Sequence, residues 1–323
     1  MGASAVTDRI DWVMDKSLVL GYTRIGPEVR QRWWPDDLTP SMLTGRHVLL
    51  TGGGSGIGRA AARQLGVLGA TVHLLGDDAA QLRTVQAELG VEAPSGTYLT
   101  EVCDVADLPT VAAFAVDFAA RVPQLHALVH CAGTKSPERK ETSQGHELTL
   151  ATHVLGPHLL TRHLVGALSA DGDGRVIWVT SGGMYASSLR DDDPQFRVDK
   201  YSGNVAYSRT KRMQQVLAEL WVDELGERPV VSHSMHPGWV DTPGVRTFLP
   251  KSRALTLPFM RSADQGADTI VWLAASPIPA QTSGKLWSDR RVRPTMYGPS
   301  GRESEQRRAR FWYFCQRCTD DYI

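Results

Sequence analysis

A run of glycines stands where a short apolar segment gives way to a longer amphipathic one: Thr51-Gly52-Gly53-Gly54-Ser55-Gly56-Ile57-Gly58 directly follows His47–Leu50. No other stretch constrains the fold as strongly. A strand that turns straight into a helix presents free N–H groups and the positive end of a helix dipole. Glycines at that point permit a tight turn and let a pyrophosphate approach the backbone. A purely structural loop would look the same, but the place of this one, in the first strand–helix unit, favours a dinucleotide site.

The periodicity around the loop supports that reading. Short β-branched or apolar runs fall at His47–Thr51, Thr71–Leu75, Thr97–Val102, Ala127–Cys131, Val176–Thr180, Val230–Met235 and Lys285–Trp287. Amphipathic stretches alternate with them at Asp78–Leu89, Leu108–Arg121, Gly145–Leu168, Tyr207–Leu225 and Ser262–Ala275. Strands joined by crossover helices predict an α/β fold with a mainly parallel sheet covered on both faces. Ligands then bind beyond the carboxyl ends of the strands. We expect one catalytic domain over 46–291, an N-terminal extension over 1–45 and a C-terminal tail over 292–323.

Composition narrows the classes of function. Lys+Arg and Asp+Glu both total 35, so no global excess of positive charge draws in nucleic acid. No apolar stretch is long enough to span a bilayer, and the N-terminus has no basic segment followed by an apolar run. The expectation is a soluble cytoplasmic protein. Four cysteines make no disulfide framework, and Cys103 and Cys131 read as small buried thiols. Cys315 and Cys318 form a lone CxxC without the second ligand pair of a zinc site or the setting of a redox motif.

Chemistry gathers at the predicted strand ends. Asp77 lies 19 residues after Gly58, at the end of the second strand. An acidic side chain there can bond the ribose hydroxyls and repel a 2′-phosphate, favouring NAD over NADP, although Asp77 and Asp78 could instead cap the next helix. Tyr207 and Lys211 share one face of a helix. An ammonium beside a tyrosine, with a cationic nicotinamide, would bring its pKa down from near 10 towards neutrality. Ser181 sits at the end of the fifth strand, where its hydroxyl can hydrogen-bond a substrate oxygen. A YxxxK alone is a common accident; the order of glycine loop, serine and YxxxK makes it persuasive.

With these motifs in that order, residues 45–290 resemble the short-chain dehydrogenase/reductase superfamily. The loop is similar to its TGxxxGxG motif, which implies cofactor contacts from Thr51, Gly52, Ser55, Gly56, Ile57 and Gly58. Asp104, with Val105, matches the adenine-contacting position, and Ala132 and Gly133 match the end of an NNAG motif. Ser181, Tyr207 and Lys211 match the catalytic set. In His236-Pro237-Gly238-Trp239-Val240-Asp241-Thr242, the PG segment implies contacts from Pro237, Gly238, Val240 and Thr242. The segments VTSGGMYAS, AYSRTKR, HPGWVDTPGVR and RSADQGADT, and the long gap from Ser181 to Tyr207, are similar to the branch called dehydrogenase/reductase SDR family member 12. The resemblance implies a doubly wound Rossmann sheet of seven strands in the order 3-2-1-4-5-6-7, and often a homodimer or homotetramer.

Three positions depart from the family pattern. His130 and Cys131 replace the two asparagines of NNAG. His153 stands where the family has an asparagine that helps hold a water on the proton path; it is either a substitute relay or a space-filler. Asp77 stands where NADP-dependent members carry an arginine.

The expected activity is hydride transfer between a nicotinamide dinucleotide and an alcohol or carbonyl substrate. Tyr207 would exchange the proton, Ser181 steady the oxygen, and Lys211 hold the ribose. A cofactor-binding sensor without turnover is the alternative. Apolar residues in Gly244–Arg261 (Phe248, Leu249, Leu255, Leu257, Phe259 and Met260) suggest either a hydrophobic substrate pocket or a lid packed on its core. The run Asp191–Asp193 reads as solvated loop. The basic and aromatic residues at Arg30–Trp34 and Arg307–Phe314 would either touch a membrane surface or clamp against the protein itself.

Overall fold

The computed structural model describes residues 5–241, 257–297 and 303–323. The strands are β1 (His47–Thr51), β2 (Thr71–Gly76), β3 (Thr97–Val102), β4 (Ala127–His130), β5 (Gly174–Val179), β6 (Val230–Met235), β7 (Leu286–Ser288) and β8 (Arg291–Arg293). They form one sheet in the order β3-β2-β1-β4-β5-β6-β7-β8. From β3 to β7 every pairing is parallel, and β7–β8 is antiparallel.

The order of seven strands is therefore as expected, with an eighth strand added from what reads in sequence as the start of the tail. The turn between β7 and β8 is Asp289-Arg290, with φ values of 51° and 57°. Both central residues of a tight hairpin turn need positive φ, and the usual signal for that is Asn-Gly or Asp-Gly. Asp-Arg carries no such signal, so β8 was not legible.

The helices in chain order are α1 (Ala5–Lys16), α2 (Leu18–Tyr22), α3 (Ile25–Arg30), α4 (Gly56–Val67), α5 (Ala79–Glu92) and α6 (Leu108–Arg121). They continue with α7 (Leu148–Leu150), α8 (Gly156–Asp171), α9 (Gly203–Leu225), α10 (Ala263–Ala275) and α11 (Glu305–Thr319). Between α7 and α8, Ala151–Leu155 winds as one π-helical turn. The central strands are buried along nearly their whole length because both faces are covered. Along β5, Val176 and Trp178 enter the core beneath α6, α8 and α9, while Ile177 and Val179 enter the core beneath α4, α5 and α10. Among the described residues no helix is long and apolar enough to cross a membrane.

Both extensions pack onto the domain. From α11, Phe311 and Cys315 are fully buried in the α8/α9 core. Trp312 meets Trp221 and His158 edge-on at 5.5 and 5.0 Å. Cys315 and Cys318 are free thiols, and burial pushes both thiols up in pKa. Among the described residues no cluster of three metal-ligating side chains occurs.

The acidic run is a correction to the sequence reading. Asp192 is exposed, but the Asp191 carboxylate is buried under Arg307 and Arg310 at 2.7 and 2.6 Å. Asp193 is also buried and accepts the backbone N–H groups of Arg197 and Val198. A run of like charges can be buried once the chain supplies arginines from a distant segment, here 116 residues away. The same contacts engage the basic residues of the tail with the protein's own surface.

Candidate active site

The carboxyl ends of the parallel strands open on a cleft of about 970 Å³. It runs from the glycine loop to the ends of β5 and β6, as a doubly wound sheet places its ligand crevice.

Its first wall is the loop between β1 and α4. Thr51 lies buried beneath the loop, and its hydroxyl accepts the N–H groups of Cys131 and Ala132, both at 3.0 Å. Thr51 therefore ties the β1 end to the β4 end instead of lining the cleft. Gly52, Ser55, Gly56, Ile57 and Gly58 all line it. A Cβ on Gly58 would stand 2.1 Å from the Gly52 carbonyl oxygen, so only glycine lets the first turn of α4 close on the loop. Ser55 is the N-cap of α4 but its side chain makes no capping bond. Residues that keep side chains out of a turn at a helix N-terminus fit a phosphate-bearing dinucleotide.

At the next strand end the two aspartates divide their work. Asp78 caps α5 through the N–H groups of Ala80 and Gln81, at 2.9 and 3.0 Å. Asp77 is exposed and lines the cleft. Of the cations near this end, Arg59 is paired to Glu88 and Glu92 at 2.8 and 2.6 Å. Asp104, Val105, Ala132, Gly133, Pro237, Gly238 and Val240 line the same cleft, and Asp104 accepts the Ala106 N–H. Thr242 lies outside the described residues.

Ser181, Tyr207 and Lys211 converge on the far end of the cleft. Ser181 begins a short 3₁₀ turn and accepts the Gly183 N–H at 3.1 Å. Its hydroxyl also bonds that of Tyr207, which lowers the tyrosine pKa, but burial dominates and leaves it raised above 10. Desolvation of the phenolate outweighs the Ser181 hydrogen bond, and the Lys211 ammonium lies 5.6 Å from the ring centroid. Tyr207 at rest is a protonated phenol. Lys211 is buried, with its pKa lowered to about 8 by desolvation. Its Nζ donates to the Val179 carbonyl at 2.9 Å and to Gln214 Oε1 at 2.8 Å. In return the Thr180 hydroxyl donates to the Lys211 carbonyl at 2.6 Å.

His153 does not line the cleft. It is fully buried in the π-helical turn, and its pKa is held well below 6.5 by desolvation and by Lys211. Nε2 accepts the Thr134 N–H at 3.0 Å, so Nδ1 carries the proton and donates to Thr210 Oγ1 at 2.8 Å. Both ring nitrogens are thus engaged. The imidazole is a neutral strut between the β4 loop and α9, 5.5 Å edge-on from Tyr207. His130 is likewise buried, meets Thr161 at 2.8 Å, and is pushed down to about 3.

Thr180, Gln214, Thr210 and Thr134 are the positions that reading the sequence missed. They carry no motif of their own; only the fold brings them to Lys211 and His153. The expected lid also resolves only in part. Phe248, Leu249 and Leu255 lie outside the described residues, as does the Leu257 side chain, while Phe259 is half exposed and Met260 lines the cleft beside Trp239.

The N-terminal extension forms the back of this end. The Tyr22 ring stacks on His236 at 4.9 Å and fills the place a Cβ on Gly182 would need, 2.5 Å away. The Trp239 N–H donates to the Tyr22 carbonyl at 2.7 Å. Arg261, fully buried, donates to the carbonyls of Gly21, Tyr22, Thr23 and Pro237 and to the Asp289 carboxylate. Asp289 also accepts Arg30 at 2.6 Å, and the two guanidiniums hold its pKa down at about 2 against its burial.

Comparison with known proteins converges with this geometry. Residues 46–252 match the family model described as short chain dehydrogenase. The chain is 38% identical to a dehydrogenase/reductase SDR family member 12 from Bos taurus, covering 85% of this chain and 86% of that protein. It is 34% identical to a polyprenol dehydrogenase from Mus musculus, covering 78% and 79%. A solved citronellol catabolism dehydrogenase from Pseudomonas aeruginosa superposes with a TM-score of 0.59 at 27% identity, covering 77% of this chain and 94% of that one.

Proposed function

The chain belongs to the short-chain dehydrogenase/reductase family, and from that premise we propose that it is a nicotinamide-dependent oxidoreductase interconverting a hydrophobic alcohol and its carbonyl. The observation that carries this is the convergence of Ser181, Tyr207 and Lys211 in one cleft with the glycine loop. When bound, the dinucleotide supplies the hydride acceptor or donor. Tyr207 exchanges the proton with the substrate oxygen, and its protonated resting state suits it to deliver that proton to a carbonyl. Ser181 steadies the same oxygen as charge develops. Lys211 holds the ribose and sets the charge beside Tyr207.

NAD is the favoured cofactor. Asp77 is left free of the capping role that Asp78 fills, and the neighbouring Arg59 is committed to Glu88 and Glu92. Trp239, Met260 and Leu148 give the substrate end apolar surface. The relatives' printed names, a polyprenol dehydrogenase and a citronellol catabolism dehydrogenase, point to the same class.

Titration with NADH and NADPH, followed by tryptophan fluorescence, tests the cofactor. Dinucleotide consumption with a panel of apolar aldehydes and ketones tests the activity. Tyr207→Phe is expected to abolish turnover with dinucleotide affinity retained; retained turnover overturns the assignment. Binding without turnover across the panel would favour a sensor.

A further inference from the structure

Lys211 has three N–H groups, and two of them are spent inside the protein, on the Val179 carbonyl of β5 and on Gln214 Oε1. Gln214 follows Lys211 by three residues on α9, which brings the two side chains together one turn apart. It is fully buried, and its Nε2 has no partner. A buried amide with half its hydrogen-bonding capacity unmet is costly, and an apolar side chain of similar size would avoid that cost. The orientation is fixed by chemistry, because turning the amide would set its NH2 against the ammonium. The backbone of Lys211 is held independently by Thr180, so the glutamine is needed for the side chain alone.

We propose that Gln214 is a positioning residue for Lys211. Its amide oxygen holds the ammonium against β5, so that the one remaining N–H faces the cleft. The proposal rests on the oxidoreductase reading for its purpose but not for its geometry. Gln214 also offsets the burial that disfavours the charged lysine, a charge-assisted hydrogen bond being among the stronger ones available. The other groups facing Lys211 give it no acceptor charge. Cys131 is a thiol pushed up to about 11, His153 is neutral, and Tyr207 is a protonated phenol.

The test reads Lys211 directly. Full-length protein, Gln214→Met and Gln214→Glu are labelled with trace acetic anhydride between neutral and alkaline pH, and modification of Lys211 is quantified by mass spectrometry. The midpoint in the parent protein is expected near 8. Gln214→Met removes the acceptor and is expected to lower the midpoint by about one pH unit, raising the reactive fraction about fivefold at pH ~7. Gln214→Glu keeps an acceptor, adds a charge, and is expected to raise it. NADH affinity should fall about tenfold in Gln214→Met. A purely packing role would not move the midpoint in opposite directions. An unchanged midpoint in a folded Gln214→Met overturns the proposal; should that variant fail to fold, an unchanged midpoint in Gln214→Glu does so. If the parent protein binds neither NADH nor NADPH, the dinucleotide reading fails while the labelling still decides the role of Gln214.

Discussion

The two ends of the cleft are built in different ways. At the glycine loop the work is done by backbone: close approach at Gly52 and Gly58, a helix N-terminus, and one threonine bridging β1 to β4. At the end that holds Ser181 and Tyr207 it is done by long-range side chains. Tyr22 and Arg30 from the N-terminal extension, Arg261 at the end of the lid segment, and Asp289 from the β7–β8 turn meet behind Trp239 and Ser181. A backbone device is compact in sequence and tolerates change around it. A buried ion network is dispersed over more than 250 residues and fails as a unit. The extension is therefore part of the site's foundation.

The sharpest way to break that comparison is Arg261→Met. It strips the side-chain hydrogen bonds by which Arg261 links the extension to the Pro237 loop and leaves the Asp289 carboxylate facing Arg30 alone. Removing one partner from such a buried pair is expected to cost about 3–5 kcal/mol, read by urea denaturation. A variant as stable as the parent would show that the extension rests on the domain without supporting it. The network also has a pH signature. The folded pKa of Asp289 is about 2, against an ordinary value near 3.8. A depressed carboxylate stabilises the fold above its unfolded pKa, and that stability is lost as pH falls from about 4 towards 2. The loss is about 2 kcal/mol, and Asp289→Asn should flatten it while lowering stability throughout.

At the opposite end, Gly58→Val should act locally. The branched side chain must displace the Gly52 carbonyl, at an expected cost of about 1–3 kcal/mol. NADH binding should fall at least about tenfold, while the unfolding response of the extension to acid stays as it was. A parallel loss at both ends would mean that loop and extension are coupled through the sheet.

This division also explains what could be read from the sequence. His47–Thr51 was placed to the residue because a strand covered on both faces reads as an apolar run, and Thr97–Val102, at the edge of the sheet, because its β-branched and aromatic residues mark a strand. The places of Asp77, Ser181, Tyr207 and Lys211 around one cleft were legible because each lies at a strand end or on a helix face that spacing alone defines. Gln214 and Thr180 were not, since their meaning depends on what Lys211 touches after folding. The buried Asp191 and Asp193 were misread for a related reason: sequence shows a run of like charges, and only tertiary structure shows Arg307 and Arg310 covering it. The upward push on the Tyr207 pKa was not legible either, because desolvation is a property of the packed site and not of the motif.

The finest test concerns one side chain at the backbone-built end. Asp77 and Asp78 are adjacent and identical in chemistry, yet only Asp78 bonds the first turn of α5. If Asp77 serves the dinucleotide, Asp77→Ala should leave the melting temperature nearly unchanged while eroding the NADH-over-NADPH preference by about tenfold, roughly 1.4 kcal/mol. Asp78→Ala should do the reverse, costing about 1 kcal/mol of stability with the preference intact. The two titrations together separate recognition from capping at neighbouring positions. A loss of stability in Asp77→Ala without any change in preference would return that residue to the helix, and with it the case for NAD.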